Sequence, residues 1–197
     1  MPARDLIIDP AEVDCSQIVA TIDQIRQHIP QRGPMEQLTA IVLDDLDRHL
    51  CVGYKDVTAD EFWVDGHMPG MPLMPGVIMC EAAAQVFSYH IQRHDLSGAE
   101  VVGFGGLDKV KFRGVVKPGD RVVIACQMMK FRRGRIVNCR FQSFVGSTLV
   151  CEGELVGVPL PVDALTAANS SGRGLGFGSR QGSKVSQTHG SSSTAQD

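Results

Sequence analysis

An apolar segment at residues 76–93 constrains the fold of this chain more than any other part of the sequence. It reads GVIMCEAAAQVFSYHIQR, and apolar side chains fall on almost every side of the helix that it predicts. A helix that is apolar all round is buried inside its domain. The rest of the domain must therefore surround this helix on most sides.

Runs of residues with strand character lie both before and after this segment. They occupy residues 37–44, 49–57, 100–113, 121–131, 135–145 and 148–158. The last four runs are separated by KPGD, RRG and VGS, which are turn sequences that join antiparallel neighbours. This order predicts the α+β class, with an antiparallel sheet wrapped around a long buried central helix.

The two ends of the chain differ from this middle part. Isoleucines recur at helical spacing over 16–29, which predicts a further helix with Ser16 as its N-cap. Beyond about residue 163 the chain is rich in Ser and Gly, and it cannot bury enough apolar surface to offset its ordering entropy. The expected organisation is an N-terminal extension at 1–15, one folded domain at 16–162 and a disordered tail at 163–197.

Charge and cysteine content narrow the functional class. The chain has 19 basic and 22 acidic residues, a net charge of −3, so no overall basicity favours a nucleic-acid partner. Its six cysteines are scattered without a CxxC pair, which favours reduced thiols over a disulfide framework.

The N-terminus lacks the pattern of a secretory signal, and the most apolar stretch is too short to span a bilayer. We expect a cytoplasmic protein without membrane insertion.

Glu81 is the most informative residue of the apolar segment. A carboxylate inside an apolar helix loses hydration, which favours either the protonated form or a close partner. A neutral carboxylic acid is what a general acid requires. His67 lies upstream in the loop DGHMPGMPLMP, whose prolines restrict its backbone and can hold an imidazole in one place. The pair predicts an acid and a base in one site.

Gly76 supplies a third group at the predicted start of the helix. The first N–H groups of a helix have no internal partner and carry the positive end of its dipole. A carbonyl oxygen bound there is polarised, and glycine lets a substrate approach closely. A base, an acid and an electrophilic amide suit proton abstraction next to a carbonyl, with loss of a group from the β-carbon. Taken singly, His67 is more often a loop residue with a satisfied hydrogen bond, and a lone Glu is usually solvated.

The stretch GHMPGMPLMPGVIMCEAAAQ resembles the β-hydroxyacyl-acyl-carrier-protein dehydratases of type II fatty acid synthesis. Two further segments, FGGLDKVKFRGVVKPGDRV at 104–122 and IDQIRQHIPQR at 22–32, are also similar to that family. The similarity covers roughly residues 18–160. At position 81 the chain has Glu rather than Asp, and in this it resembles the general elongation dehydratase of the family. The chain departs from the family pattern at Met68, where Phe is common. It also departs in the region where the family usually has a His-Arg-aromatic-Pro segment before a strand, because this chain has Gln31, Gly33 and Glu36 there.

The resemblance implies a hot-dog fold that pairs into homo-oligomers, as a dimer or a trimer of dimers. It also implies that the site lies at the dimer interface, where His67 of one subunit meets Glu81 of the other. It implies a lyase in which His67 takes the α-proton and Glu81 protonates the departing 3-hydroxyl, while the Gly76 N–H binds the thioester carbonyl. A (3R)-3-hydroxyacyl thioester on acyl carrier protein would give a trans-2-enoyl thioester, with no metal or organic cofactor. The loop and tunnel around this site would be formed by Met68, Pro69, Gly70, Pro75 and Val77.

Positive charge is concentrated in the second half of the chain. Lys109, Lys111, Arg113, Arg132 and Arg133 form a possible docking surface for an acidic carrier protein, and a solvated strand face is an equally good explanation. His90 and His94 have a spacing that can bind metal, but the sequence provides no third ligand. We therefore predict no metal site.

Two other classes of function remain open from the sequence. The first is another hot-dog enzyme, either a thioesterase or an enoyl-CoA hydratase. The second is a non-catalytic accessory subunit whose fold serves dimerisation. The presence of both His67 and Glu81 argues against the second, because a buried acid without a function destabilises the fold.

Overall fold

The computed structural model describes residues 5–162, so residues 1–4 and the predicted disordered tail at 163–197 lie outside the described part. The long helix, here called α2, spans Gly76–Arg93, which confirms the predicted segment at both ends. Pro75 is its N-cap, and the Pro75 carbonyl accepts hydrogen bonds from the N–H groups of Ile78 and Met79. The loop prolines therefore set the point at which the helix begins.

Within residues 5–162, seven strands form one antiparallel sheet, and the predicted strand runs are confirmed. The strands are β1 (Ala20–Thr21), β2 (Ala40–Asp45), β3 (Leu50–Asp56), β4 (Val102–Phe112), β5 (Arg121–Arg132), β6 (Ile136–Val145) and β7 (Thr148–Pro159). Their order across the sheet is β1-β2-β3-β5-β6-β7-β4, and every neighbouring pair is antiparallel. Strand β4 lies at one edge of the sheet and pairs with β7, so the prediction that KPGD joins antiparallel neighbours is wrong, because β4 and β5 are not adjacent. The predicted turns RRG and VGS do join antiparallel neighbours, β5 to β6 and β6 to β7.

The sheet bends around α2. Bulges interrupt the pairing of β2 with β3, β4 with β7, β5 with β6 and β6 with β7. A bulge bends its strand and increases the local twist, which lets a long sheet curve. The concave face and α2 share one apolar core that includes Ile41, Val86, Tyr89, Ile124 and Phe141. The hot-dog architecture expected from the sequence is confirmed.

The predicted N-terminal helix is wrong in its extent. The helix here, α1, spans only Ile22–Ile25, and it follows β1, which pairs with β2. Ser16 is not its N-cap; the Ser16 N–H and hydroxyl both bond to the side chain of Asp14. The Val19 N–H bonds to the Ile41 carbonyl, so sheet pairing satisfies backbone groups that a longer helix would have used. Ile18 is exposed, as its position outside a packed helix requires.

Residues 5–15, which belong to the predicted extension, lie on the outer face of the sheet. Side chains alternate between the two faces of a strand, and the outer-facing Val42, Val52 and Val123 form a second apolar cluster. Ile7 is buried in this cluster, and its N–H donates to Gln142 Oε1 at 2.8 Å. The segment therefore covers apolar surface that would otherwise face water. Across residues 5–162, no helix has the length and apolarity needed to cross a membrane.

Candidate active site

The loop between β3 and α2 carries His67 and is fixed at several points. The Val57 N–H bonds to the Asp120 carbonyl, and the Met74 N–H bonds to the Val116 carbonyl. Between these points, Trp63 is buried and its carbonyl accepts the His67 N–H at 2.8 Å. The loop is therefore tied to the main domain at both ends and around the histidine itself.

Two hydrogen bonds join His67 to Leu73 and define the state of the imidazole. The Leu73 N–H donates to the His67 carbonyl at 2.9 Å, and His67 Nδ1 lies 2.8 Å from the Leu73 carbonyl oxygen. A carbonyl oxygen can only accept, so Nδ1 carries the hydrogen. In the neutral ring the other nitrogen, Nε2, then keeps its lone pair. The local structure prepares His67 Nε2 to act as a base.

The N-terminus of α2 lies beside this histidine. His67, Pro75, Gly76, Val77 and Phe112 all line one cavity of about 400 Å³. The Gly76 N–H makes no hydrogen bond within residues 5–162, as expected for the first amide of a helix. A methyl group at Gly76 would lie 2.7 Å from the ring of Phe112, so this position has no room for a side chain. An unpaired amide and a base therefore face the same space.

Glu81 lies one and a half turns further along α2 and contacts two glutamines. Gln85 Nε2 donates to Glu81 Oε1 at 2.7 Å, and Gln31 Nε2 donates to the same oxygen at 3.3 Å. Gln85 is fully buried; it also donates to the Met35 carbonyl, and its Oε1 accepts the Gln37 N–H. Within one chain the hydrogen-bond partners of the acid are thus two amides and not the His67 imidazole.

His67 and Glu81 open into different cavities of one protomer. The cavity at Glu81 has a volume of about 220 Å³ and is lined mainly by apolar groups, including Ala84, Phe87, Phe104 and Leu160. Among the described residues, no hydrogen bond joins His67 to Glu81. One protomer therefore presents a base with an electrophilic amide at one opening and an acid with an apolar chamber at another.

A model of the FabA-like domain matches residues 29–154, which include both His67 and Glu81. The chain belongs to the FabA-like family. It is 38% identical over 135 residues to a 3-hydroxyacyl-[acyl-carrier-protein] dehydratase FabZ of Pelotomaculum thermopropionicum, an alignment that covers 68% of this chain and 95% of the relative. The corresponding FabZ of Clostridioides difficile is 36% identical over 68% of this chain and 94% of its own.

Solved structures share the fold of this FabA-like domain at low sequence identity. The dehydratase heterocomplex ApeI:P from Xenorhabdus doucetiae has a TM-score of 0.61 at 14% identity, covering 74% of this chain and 97% of the other. Cj0977, a sigma28-regulated virulence protein from Campylobacter jejuni, has a TM-score of 0.56 at 16% identity, covering 76% and 94%. At such identities the likeness concerns the fold alone.

Of the loop residues predicted from the sequence, two line the His67 cavity, whereas Met68, Pro69 and Gly70 are not among its lining residues. Pro75 and Val77 line its cavity, and Val77 is 70% exposed. Met68 is also exposed, and Gly70 adopts a positive φ of 76°, which the tight turn between Met68 and Met71 requires. A large apolar surface therefore borders the opening and is uncovered in one protomer.

The predicted basic surface is partly neutralised by acids of the same domain. Lys109 pairs with Glu154 at 2.7 Å, Arg113 pairs with Glu152 at 2.5 Å, and Arg133 pairs with Asp95. Lys111 and Arg132 form no ion pair with another described residue. The positive charge available to a partner is therefore smaller than the sequence suggested.

His90 and His94 bind a carboxylate. His90 Nδ1 lies 2.6 Å from Asp44 Oδ1, and His94 Nε2 and Arg93 Nε lie 3.0 and 3.1 Å from Oδ2. Cys51 also lies near, with a possible ligand atom within 4.8 Å of those of Asp44 and His90. Both oxygens of Asp44 are already engaged, and the Arg93 guanidinium repels a cation, so the cluster is better suited to joining β2 to α2 than to holding a metal.

Four residues of the site were not singled out as functional from the sequence. They are Gln31, Leu73, Gln85 and Phe112. Gln85 follows Glu81 by four residues on α2, a spacing that predicts contact between the two side chains. Gln31 is distant in sequence from Glu81, and Phe112 comes from the edge strand, so only the tertiary fold brings them to the site.

Proposed function

We propose that this protein dehydrates 3-hydroxyacyl thioesters carried on acyl carrier protein, giving trans-2-enoyl thioesters in fatty acid biosynthesis. The observation that carries the proposal is the His67 imidazole, whose Nδ1 donates to Leu73, beside the unpaired Gly76 N–H in one cavity. The FabZ relatives, matched over nearly their whole length, are named for this activity and support the same conclusion.

Each group has a defined part in the elimination. The Gly76 N–H binds the thioester carbonyl oxygen and stabilises the negative charge that develops when the α-proton leaves. His67 Nε2 accepts that proton. Glu81 then donates a proton to the 3-hydroxyl, so that the C–O bond breaks and water departs while the double bond forms. No metal or organic cofactor takes part in this scheme.

The proposed site is shared between two protomers, because His67 and Glu81 of one protomer open into different cavities. Strand β4 is an edge strand that pairs with β7 on one side, and its Phe104, Leu107 and Phe112 are 46–53% exposed. An exposed apolar edge strand favours pairing with a second copy. Phe104 lines the Glu81 cavity and Phe112 lines the His67 cavity, so a dimer formed along β4 would bring Glu81 to the partner's His67.

The acyl chain would lie in the apolar cavity that begins at Glu81. The acyl carrier protein would approach the opening at His67 and Gly76, close to Arg113 at the end of β4. The unpaired cations Lys111 and Arg132 are the candidates for contacts with its acidic surface.

The six cysteines are free, which fits a reducing compartment, and we place the enzyme in the cytoplasm.

A subunit-mixing experiment tests both the reaction and the shared site. The purified protein is given a 3-hydroxyacyl thioester of acyl carrier protein, and enoyl absorbance is followed. Release of free thiol would instead identify a thioesterase, and a preference for coenzyme A thioesters would identify an enoyl-CoA hydratase. Failure of a folded wild-type protein to form the enoyl product would refute the proposal.

The mixing step uses two inactive variants, His67→Ala and Glu81→Gln. After dissociation and random reassociation, half of the dimers are mixed and each contains one intact shared site, so activity should return to about one quarter of the wild-type value. Mixtures that stay inactive, although native mass spectrometry detects mixed dimers, would contradict a site built from two protomers.

A further inference from the structure

Gln31 contacts the acid from outside α2. It follows Pro30 in the segment between α1 and β2, and its side chain lines the same cavity as Glu81. Its amide Nε2 and that of Gln85 both donate to Glu81 Oε1. Gln31 precedes Glu81 in the sequence, and Gln85 follows it. Two N–H donors thus converge on one carboxyl oxygen.

This arrangement distinguishes the two oxygens of Glu81. Oε1 accepts two hydrogen bonds, whereas Oε2 makes none with the described residues. In a carboxylic acid the carbonyl oxygen is the better acceptor and the hydroxyl oxygen carries the proton. The two amides therefore assign Oε1 as the carbonyl oxygen and leave Oε2 as the oxygen that holds the transferable proton.

The backbone around Gln31 is held rigidly. The Arg32 guanidinium donates to the carbonyls of Gln31, Ile29 and Arg26 at 2.6–2.7 Å, and Pro30 restricts the backbone next to Gln31. These contacts fix the point from which the Gln31 side chain extends. An amide anchored in this way can orient a carboxyl group instead of following it.

The other end of the Gln31 amide supports this interpretation. Its Oε1 is buried and has no hydrogen-bond partner among the described residues. Leaving a buried carbonyl unpaired costs about 1–3 kcal/mol. The Gln31 amide thus presents its N–H to Glu81 although this leaves its own carbonyl oxygen unpaired.

We propose that Gln31 is a positioning residue that acts with Gln85 to hold Glu81 so that Oε2 faces the departing hydroxyl. This inference rests on the proposed dehydration, and it adds a residue from outside the central helix to that mechanism. Gln85 alone leaves the carboxyl group free to rotate about its last bond, since a single hydrogen bond defines one direction. The second donor removes that freedom.

The kinetic test compares three variants in the dehydration assay. Gln31→Met keeps the length of the side chain but has no N–H, so kcat should fall on the order of tenfold while KM stays unchanged. Gln31→His again offers an N–H group and should recover most of the lost kcat. Gln27→Met, at an exposed glutamine of the same segment, is the matched control and should match the wild type. Melting temperatures check that all three variants fold.

Several outcomes would overturn the inference. They are a kcat of Gln31→Met within twofold of the wild type, a change confined to KM, and a His variant no better than the Met variant. A crystal structure of Gln31→Met provides a test that does not depend on activity, because the Glu81 carboxyl group should occupy more than one orientation. A single, unchanged orientation held by Gln85 would refute the positioning role, whether or not the wild type dehydrates 3-hydroxyacyl thioesters.

Discussion

At the scale of single residues, the histidine of this site is prepared by its own loop. The bond from His67 Nδ1 to the Leu73 carbonyl depends on backbone geometry six residues away. It therefore fixes the ring before any substrate binds, which reduces the reorganisation needed during reaction. Glu81 is prepared differently, by side-chain amides from two separate segments.

His67→Ala and Glu81→Gln should each lower kcat by about 10²–10⁴-fold, because each removes a proton-transfer group. The loss is measured as the initial rate of enoyl formation, and circular dichroism reports the fold. The matched control is Glu100→Gln, at an exposed glutamate, which should keep the wild-type rate. Wild-type turnover in either site variant would refute the assigned role.

Gly76→Ala should reduce both stability and activity. The new methyl group would meet the Phe112 ring at 2.7 Å, so this ring, which is 53% exposed, must move, at a cost of about 1 kcal/mol of the free energy of unfolding. Because the new methyl group conflicts only with the Phe112 ring, removing that ring should relieve the conflict. The double variant Gly76→Ala/Phe112→Ala should therefore lose less free energy of unfolding than the sum of the losses in the two single variants. Urea unfolding of the four proteins measures this coupling, and strictly additive values would contradict the steric explanation.

At the scale of elements, a buried charge cluster joins the C-terminal end of α2 to β2. The side chains of Asp44 and His90 are each about 2% exposed, and His94 and Arg93 complete the cluster. Burial by itself raises the pKa of Asp44, but the hydrogen bonds and charges of His90 and His94 outweigh it and hold the pKa below its ordinary value of 3.8. The cluster therefore keeps Asp44 ionised in the folded protein.

Asp44→Asn should lower the free energy of unfolding at pH 7 by about 1–3 kcal/mol, because the hydrogen bonds from His90, His94 and Arg93 lose their charged acceptor. A carboxyl group with a lowered folded pKa contributes stability above its unfolded pKa, and the contribution is lost as the pH falls through the folded value. The difference between wild type and variant should thus shrink as the pH falls below 3.8.

Urea unfolding between pH 7 and about pH 3 measures this difference. Asp47→Asn, at an exposed aspartate of the turn between β2 and β3, serves as the control and should change stability little at any pH. A wild-type advantage that persists unchanged at the acid end would show that Asp44 does not stabilise the fold through its charge.

At the scale of the whole molecule, the proposed dimer along the edge strand β4 would link assembly to activity. Its apolar side chains are exposed in one protomer, and residues of the same strand line both cavities of the proposed site. A second copy paired along β4 would cover these side chains and complete the site in one step. The isolated protomer would then be inactive.

Leu107→Asp should dissociate the dimer and reduce activity in parallel, because a carboxylate at a buried interface lacks a partner. Analytical ultracentrifugation measures the molecular mass, and the enoyl assay measures the rate across a dilution series. Leu46→Asp is the control; it places the same charge at a similarly exposed leucine, 42% against 46%, in the turn after β2. A Leu107→Asp variant that stays dimeric and fully active would place the interface elsewhere.

Prediction from the sequence succeeded where the pattern is long and local. The helix at Gly76–Arg93 and the strands after it follow from apolar periodicity and turn residues that act over a few positions. The N-terminal helix failed because Val19 and the two residues of β1 bond to the edge of the sheet, and helical spacing of isoleucines cannot reveal a competing strand partner. The contact of Glu81 with Gln85 could have been predicted from the sequence, since residues four apart on one helix are neighbours.

The sequence by itself determined the buried helix, the antiparallel strands, and the proline-restricted loop that places His67 before the first amide of the helix. These features depend on interactions between near neighbours in the chain. Only the tertiary structure decided that Gln31 reaches Glu81 and that the ring of Phe112 packs against Gly76. The physical reason is that these contacts arise from the curvature of the sheet around α2, which brings together residues that no local pattern connects.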